Sequence, residues 1–424
     1  MTSVEEKRGN GGAILVIGGG IAGLTCAIEA AEAGCEVILV EKSAYLGGRV
    51  ASLHRYFPKL CPPPCGLEID FRRIQTNPRV TVLTLAEVES LTGSPGSYEA
   101  VVRIAPRYVT SACTLCGACG PVCPVEIPDS FNDGLVKTKA IHLPHRMAFP
   151  AQFQIERGSC AAGCRLCVDA CQYGAIDLEQ QEARKTLHVS SVVAATGWAP
   201  YDATRIGYLG FGAHANVITN VMMERLAAVD GPTQGRIVRP SDGKPPRSVA
   251  FVQCAGSRDQ NHLPYCSGVC CTVSLKQATY LRAQHPDARI TMFYIDLRTP
   301  GELENFAAKA IAETGIELIK GKVGRVEGAG ETGGLLLTAE DVLQGKKIAR
   351  EFDLVVLAVG MVPQSGGLPA GVQLDEFGFA CGNNSGFCTA GCVKRPAEVS
   401  ASIRDATGAA LRAMENAINR PDHG

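Results

Sequence analysis

The sequence contains no apolar run approaching the ~20 residues that cross a bilayer. A membrane-spanning protein is therefore not expected, and the polar opening MTSVEEKRGNGG does not read as a signal peptide. Excess charge is also lacking, since 41 Lys and Arg stand against 42 Asp and Glu. Without a global basic field, nucleic acid and anionic membrane surfaces are poor partners, and small molecules or proteins are better ones. The expectation is a soluble, cytoplasmic protein that meets a membrane only through a partner. Tryptophan occurs once, as Trp198 beside a glycine turn, which reads as packing rather than chemistry. With 424 residues, the chain is long enough for a large core and two or three domains.

Cysteine is abundant: there are 19, more than a reducing compartment would hold as disulfides. Eight lie between residues 113 and 171, four between 254 and 271, and three between 381 and 392. Isolated ones such as Cys26 and Cys35 read as core filling. Clusters read as metal or redox sites.

The stretch AILVIGGGIAGLTCAIEAAEAGCEVILVEK combines an apolar strand, the fingerprint Gly18-x-Gly20-x-x-Gly23, an alanine-rich helix and a second strand ending at Glu41. Gly18 permits the tight turn, Gly20 lets the backbone approach a pyrophosphate, and Gly23 allows helix and strand to pack closely. The helix N-terminus faces the phosphate charge, and Glu41 is placed to accept a hydrogen bond from a ribose hydroxyl.

The residues beyond Glu41 resemble two-dinucleotide-binding-domain flavoproteins and imply FAD rather than NAD. Tyr45-Leu46-Gly47-Gly48-Arg49 is similar to their second glycine pair, which runs beneath the flavin. VTVLTLAEVESLTG resembles the strand whose backbone, near Val88, meets the adenine. SSVVAATGWAP supplies a strand and then Ala195-Thr196-Gly197, and FDLVVLAVGMVP repeats that pattern. GFCTAGCVKRPAEVSASIRDATGAALRAM resembles the closing flavin motif around Gly391, although Cys392 stands where such reductases carry aspartate. Lys42 and Arg49 are candidates to offset phosphate charge, with solvated surface groups as the alternative.

Cys113-x2-Cys116-x2-Cys119-x3-Cys123-Pro124 is the bacterial ferredoxin run, and Cys160-x3-Cys164-x2-Cys167-x3-Cys171 is its partner with one extra residue in the first gap. The resemblance implies two [4Fe-4S] clusters, one held by Cys113, Cys116, Cys119 and Cys171, the other by Cys160, Cys164, Cys167 and Cys123. Structural zinc is the alternative, but zinc knuckles use separated C-x2-C pairs.

The middle of the chain should carry a second nucleotide domain, yet RSVAFVQCAGSRDQNHLPYCSGVCC lacks the glycine fingerprint and presents Cys254, Cys266, Cys270 and Cys271 instead. Direct reduction by NAD(P)H is not expected. These four thiols read either as ligands of a third, non-standard iron–sulfur cluster or as a buried set of reduced thiols. Adjacent Cys270 and Cys271 project differently from a regular backbone, so Cys61 or Cys65 is a candidate replacement for one of them.

The chain is thus expected to be α/β, a thioredoxin-reductase-like flavoprotein with an inserted ferredoxin-like 2[4Fe-4S] module. The expected parts are residues 1–104 (first FAD part), 105–185 (insert), 186–245 (FAD continuation and connection), 246–345 (degenerate nucleotide domain) and 346–424 (closing FAD part). GGGIAGL, YLGGRVASLHRYFPKLCPPPCGLEIDF, NVITNVMMERLAA, RPSDGKPP and QCAGSRDQNHLPYCSGVCC carry a resemblance to the A-type subunits of heterodisulfide reductase. Within that family the resemblance is to the A-type subunits of quinone-interacting membrane-bound oxidoreductase (Qmo) complexes of sulfur-metabolising bacteria. That implies electron transfer between the quinone pool and adenylylsulfate reductase. The implied partners are a second subunit of the same A type and a quinone-reactive membrane subunit, which would hold the protein peripherally at the inner membrane. The alternatives are a heterodisulfide-reductase-like protein acting on a disulfide or sulfur carrier, an NAD(P)H-dependent flavoprotein reductase, and a scaffold whose clusters only stabilise an interface. Cys61-Pro-Pro-Pro-Cys65 lies about where some disulfide reductases keep a reactive pair, but its prolines exclude an ordinary helical dithiol motif.

Overall fold

The structure is a computed structural model that describes residues 12–330, 333–382 and 386–418. The polar residues 1–11 lie outside the described residues. The chain divides into two units. The first comprises residues up to Phe131, Lys137–Trp198 and Pro363 onward; the second comprises Asn132–Val136 and Ala199–Val362.

The first unit is built on a five-stranded parallel sheet. Its order is Phe387–Thr389, Ser191–Ala194, β1 (Ile14–Ile17), β2 (Val37–Glu41) and β3 (Val80–Thr84). Both faces of the sheet are covered, so its strands are near-continuous apolar runs. Ile14 and Val16 of β1 pack with helix α1 (Ile21–Glu32) and the long helix Val399–Ile418. Leu15 and Ile17 point the other way, onto Val88, Ala100, Val102 and Val189 of an antiparallel sheet formed by Ala86–Ser94, Ser97–Ile104 and Ala183–Val189. This two-residue alternation produces a helix, sheet, sheet sandwich.

The cysteine-rich insert leaves this antiparallel sheet at Ile104 and re-enters at Ala183, residues directly paired across two neighbouring strands. An insertion whose ends are already adjacent disturbs the host little, because no extra loop has to be closed. Its own small core gathers Val109, Ala140, Ile141, Ile155, Ile176 and Leu178 around the cysteines.

The second unit repeats the parallel plan, with strand order Val217–Thr219, Leu354–Val359, Ser248–Ala255, Arg289–Tyr294 and Glu317–Lys320. Three antiparallel strands, Val323–Gly328, Leu335–Asp341 and Lys346–Phe352, accompany it. Strand pairing sets the division between units. Val217–Thr219 lies beside Leu354–Val359, so residues 199–245 and 346–362 group with the second unit and not with the flavin-type sheet as the sequence reading places them. Asn132–Val136, a turn of the insert, also groups there; the Asn132 side chain accepts a 2.9 Å hydrogen bond from the fully buried Arg225.

Candidate functional site

Three constellations carry chemistry. The first is the turn between β1 and α1. Gly18 has φ +108°, and a Cβ there would lie 2.4 Å from the Ala195 carbonyl oxygen; at Gly23 it would lie 1.8 Å from the Gly18 carbonyl oxygen. Only glycine fits either place. At Gly20 a Cβ would meet nothing nearer than Gly48 Cα at 3.9 Å, so that side of the loop is open. Gly20 is also the N-cap of α1 and makes no side-chain cap, which leaves the first-turn amides for an anionic ligand. The second glycine pair lies against this loop: the Gly47 amide donates to Gly19 O at 2.8 Å, and a Cβ on Gly48 would come within 2.8 Å of Gly20 Cα.

Glu41 closes β2. Its carboxylate accepts from the Gly19 and Ser43 amides, both at 2.6 Å. Burial raises its pKa above the usual carboxylate range, and those two hydrogen bonds restrain the rise. The acid expected to receive a ribose thus also braces the phosphate loop. Lys42 is exposed and pairs with Glu87 at 2.7 Å, so its charge is engaged at the surface. The Arg49 guanidinium stacks 5.7 Å from the Trp198 ring centroid. The Val88 side chain is buried in the sheet interface.

At the adjacent strand ends, Thr196 and Thr389 each bury a hydroxyl that has no hydrogen-bond partner among the described residues. Gly197 follows with φ +76°. Such orphaned groups at the carboxyl edge of a parallel sheet mark a place where a ligand completes the bonding. Gly391 turns with φ +70° and donates its amide to Asp405 at 2.9 Å, while Lys394 pairs with the same carboxylate at 2.7 Å. Cys392 is buried, donates to Ala397 O at 3.4 Å, and has its thiol pKa raised by burial. It closes its own loop. Glu398 caps the final helix by accepting from the Ser400 and Ala401 amides at 2.8 and 2.7 Å.

The second constellation is the insert. One small hollow is lined by Cys113, Cys116, Cys119 and Cys171; another is lined by Cys123, Cys160, Cys164 and Cys167. Each run of four therefore contributes three residues to one hollow and its last to the other. Burial lifts the Cys119 thiol to about 11 and raises Cys167 as well, with neighbouring cysteines adding to both. The Ala175 amide donates to Cys171 Sγ at 3.4 Å. All 19 cysteines are free thiols. Among the described residues no group of three His, Cys, Asp or Glu converges on a single ion position.

The third constellation lies beyond strand Ser248–Ala255 in the second unit. Cys254 sits at its end with φ +56°, Cys266 lies in the loop, and Cys270 and Cys271 open helix Cys270–Gln284. Burial raises Cys254 to about 11, with Cys271 and Cys266 adding; Cys270 is raised by burial and then by Cys271, Cys254 and Cys266. The four are therefore mutual neighbours. Cys270 donates to Val359 O at 3.6 Å and Cys271 to Asp296 O at 3.7 Å, so these two thiols point to different walls. In the first unit, Cys61 and Cys65 flank Tyr56, whose hydroxyl pKa is raised by burial and then by both thiols.

Sequence reading missed Asp405, Glu398 and Arg107. Glu398 has a local signal, an acid immediately before a helix; Asp405, inside that helix, and Arg107 have none.

Residues 16–80 match the family model of the NAD(P)-binding Rossmann-like domain. The chain is 35% identical over 430 residues to the A-type subunit of the H(2):CoB-CoM heterodisulfide,ferredoxin reductase of Methanothermobacter marburgensis, covering 97% of this chain and 64% of that one. It is 39% identical over 353 residues to the iron–sulfur A-type subunit 2 of the CoB–CoM heterodisulfide reductase of Methanopyrus kandleri, covering 82% and 54%. Among solved structures, T. acidophilum thioredoxin reductase superposes with a TM-score of 0.54 at 15% identity, covering 96% of this chain and 98% of that one. The Lactococcus lactis enzyme gives 0.53 at 14%, covering 96% and 100%. These two show the fold.

The fold is the two-dinucleotide-binding-domain plan of thioredoxin reductase. Within that class, the chain belongs to the heterodisulfide reductase A-type family of flavoproteins. It spans between about half and two thirds of the length of the curated relatives it matches.

Proposed function

We propose that this chain is the FAD- and iron–sulfur-containing electron-transfer subunit of a multisubunit complex. The observation that carries the reading is the pair of four-cysteine hollows in a module spliced into the flavin-type unit. The open backbone at Gly20, the uncapped α1 N-terminus and the orphaned Thr196 hydroxyl fit a dinucleotide, and the thiol sets fit clusters. Gly18, Gly20, Gly23, Glu41, Gly48, Arg49, Val88, Thr196, Gly197, Gly391 and Cys392 are the residues assigned to FAD, with Lys42 at its periphery. Cys113, Cys116, Cys119 and Cys171 are assigned to one [4Fe-4S] cluster, and Cys123, Cys160, Cys164 and Cys167 to a second. Cys254, Cys266, Cys270 and Cys271 are assigned to a third.

FAD, when bound, joins two-electron chemistry to one-electron carriers. The chain's own part is to brace the phosphate loop through Glu41, to exclude water with the buried strand ends, and to hold thiols around low-polarity hollows. The finer assignment is a relay between the membrane quinone pool and adenylylsulfate reductase in dissimilatory sulfur metabolism. The implied partners are a second subunit of the A type and a quinone-reactive membrane subunit. The resemblance in residues 18–24, 45–71, 216–228, 239–246 and 253–271 supports it, and it implies a cytoplasmic chain held at the inner membrane by a partner. No helix among the described residues is long and apolar enough to cross a membrane. A second reading, reduction of a heterodisulfide or sulfur-carrier disulfide, draws on the printed names of the relatives.

Co-purification from native membranes under anaerobic conditions separates these readings. The expected complex contains FAD and iron, is reduced by a quinol, and passes electrons to adenylylsulfate reductase. Reduction only by thiols, with turnover of a disulfide, would transfer the assignment to the second reading. A zinc-loaded chain without flavin would end both.

A further inference from the structure

Arg107, at the entrance of the insert, is a cation without a counter-ion among the described residues. Its Nη2 donates to the Ala44 carbonyl at 2.7 Å and to Thr84 Oγ1 at 2.6 Å, both neutral oxygens. Its Nη1 is shielded from solvent and has no hydrogen-bond partner among the described residues. Burial alone displaces its pKa, downward to about 10, with no carboxylate contributing. A guanidinium offers five donors in a rigid fork, and leaving a shielded one unmade is costly.

Its position says what would complete it. Thr84 is the last residue of β3, and Ala44 lies three residues beyond Glu41 at the end of β2. In the strand order Phe387–Thr389, Ser191–Ala194, β1, β2, β3, the phosphate loop comes after β1 and the ribose-accepting acid ends β2. A dinucleotide laid across this edge therefore brings its adenosine toward β2 and β3, the side on which Arg107 rests. Glu41 nearby disfavours a 2′-phosphate there, so the ligand group is a neutral adenosine.

We infer that Arg107 binds the adenosine half of the dinucleotide, so that the inserted module completes the flavin site of the unit that hosts it. The inference rests on the FAD reading above. Its backbone already belongs to the insert, where Arg107 O accepts the Ile155 amide at 3.3 Å. The side chain thus joins the cluster-bearing module to the nucleotide-binding edge in one residue.

The test is titration of the deflavinated, cluster-loaded full chain with FAD and separately with ADP, in wild type, R107M and R107K. R107M is expected to weaken both ligands at least tenfold, R107K by an intermediate factor, with iron content and far-UV dichroism unchanged. FAD and ADP affinities within twofold of wild type overturn the inference while the FAD reading stands. Weaker FAD with unchanged ADP also overturns it, since the contact is then elsewhere on the flavin. Failure of both variants to fold with FAD supplied assigns Arg107 to clamping the insert, and overturns it again. A wild-type chain that binds neither ligand defeats the FAD reading and the inference together.

Discussion

The two parallel sheets of this chain solve one local problem in different ways. In the first unit three residues, 18–20, separate strand Ile14–Ile17 from helix Ile21–Glu32; in the second, residues 256–269 separate strand Ser248–Ala255 from helix Cys270–Gln284. Both turns leave the carboxyl end of a central strand and enter an uncapped helix N-terminus. The short turn, made of glycines, leaves backbone amides open, as a phosphate site requires. The long one replaces them with thiols, and its strand end carries Cys254 where a fingerprint glycine would stand. The lesson is that the strand, turn and helix frame fixes where a site sits, whereas turn length and side chains fix what binds.

The sharpest break of this contrast is Gly23→Val. A side chain there collides with the Gly18 carbonyl, so the turn cannot form without moving α1 off the sheet. FAD binding should be abolished and the first unit destabilised by ~3 kcal/mol or more. Normal flavin content with an unchanged melting temperature would mean that the turn does not carry the dinucleotide.

Next comes metal content. Cys266→Ser with Cys270→Ser should remove about four irons and leave FAD and the clusters of the insert, as expected for one [4Fe-4S] cluster. Cys113→Ser with Cys116→Ser should remove about four others. Unchanged iron and an unchanged low-temperature EPR spectrum of the reduced protein in the first variant would identify the thiols of the second unit as structural. The divergence of Cys270 toward Val359 O and Cys271 toward Asp296 O makes this the more exposed of the two assignments.

A third effect is kinetic. The second turn offers no glycine cradle for a pyrophosphate, so NADH and NADPH should bleach the flavin only slowly in stopped flow. Rapid bleaching would show that residues 256–269 accept a nicotinamide dinucleotide despite their side chains.

The features visible in the sequence are those written within one turn of backbone. The Gly18, Gly20 and Gly23 spacing and the cysteine runs are of this kind, because a tight turn or a three-thiol loop constrains neighbouring residues. The thioredoxin-reductase-like plan came from the resemblance of the segments beyond Glu41 to two-dinucleotide-binding-domain flavoproteins. Contacts between distant segments left no such trace. Arg107 finds Ala44 and Thr84 across 63 and 23 residues. The grouping of Val217–Thr219 with Leu354–Val359 depends on strand pairing over more than a hundred residues, which is why the unit division at Trp198 escaped a reading by local pattern. Lys42 carried two readings in the sequence, an offset to phosphate charge and a solvated surface group, and its exposed side chain pairs with Glu87.

The smallest effect compares the two units by their surface charge. In the second, Arg350 Nη1 lies 2.8 and 2.7 Å from the two Glu317 oxygens, and Thr291 donates to one of them at 3.0 Å. Burial opposes ionisation of Glu317, but these hydrogen bonds prevail and its pKa is lowered. A carboxylate lowered in the folded state contributes stability above its unfolded pKa of 4.5, and that contribution is lost as pH falls through the folded value. Both partners are more than a third exposed, so solvent screening limits the gain to ~1 kcal/mol or less. Glu317→Gln should therefore lower the melting temperature of the second unit slightly at pH 7. The difference from wild type should vanish once acid has protonated Glu317 in both states. In the first unit Glu87, lowered chiefly by Lys42, obeys the same sign, and Glu87→Gln should act on the melting of that unit alone. A Glu317 variant whose deficit persists undiminished at low pH would show that its oxygens act through packing and not through charge.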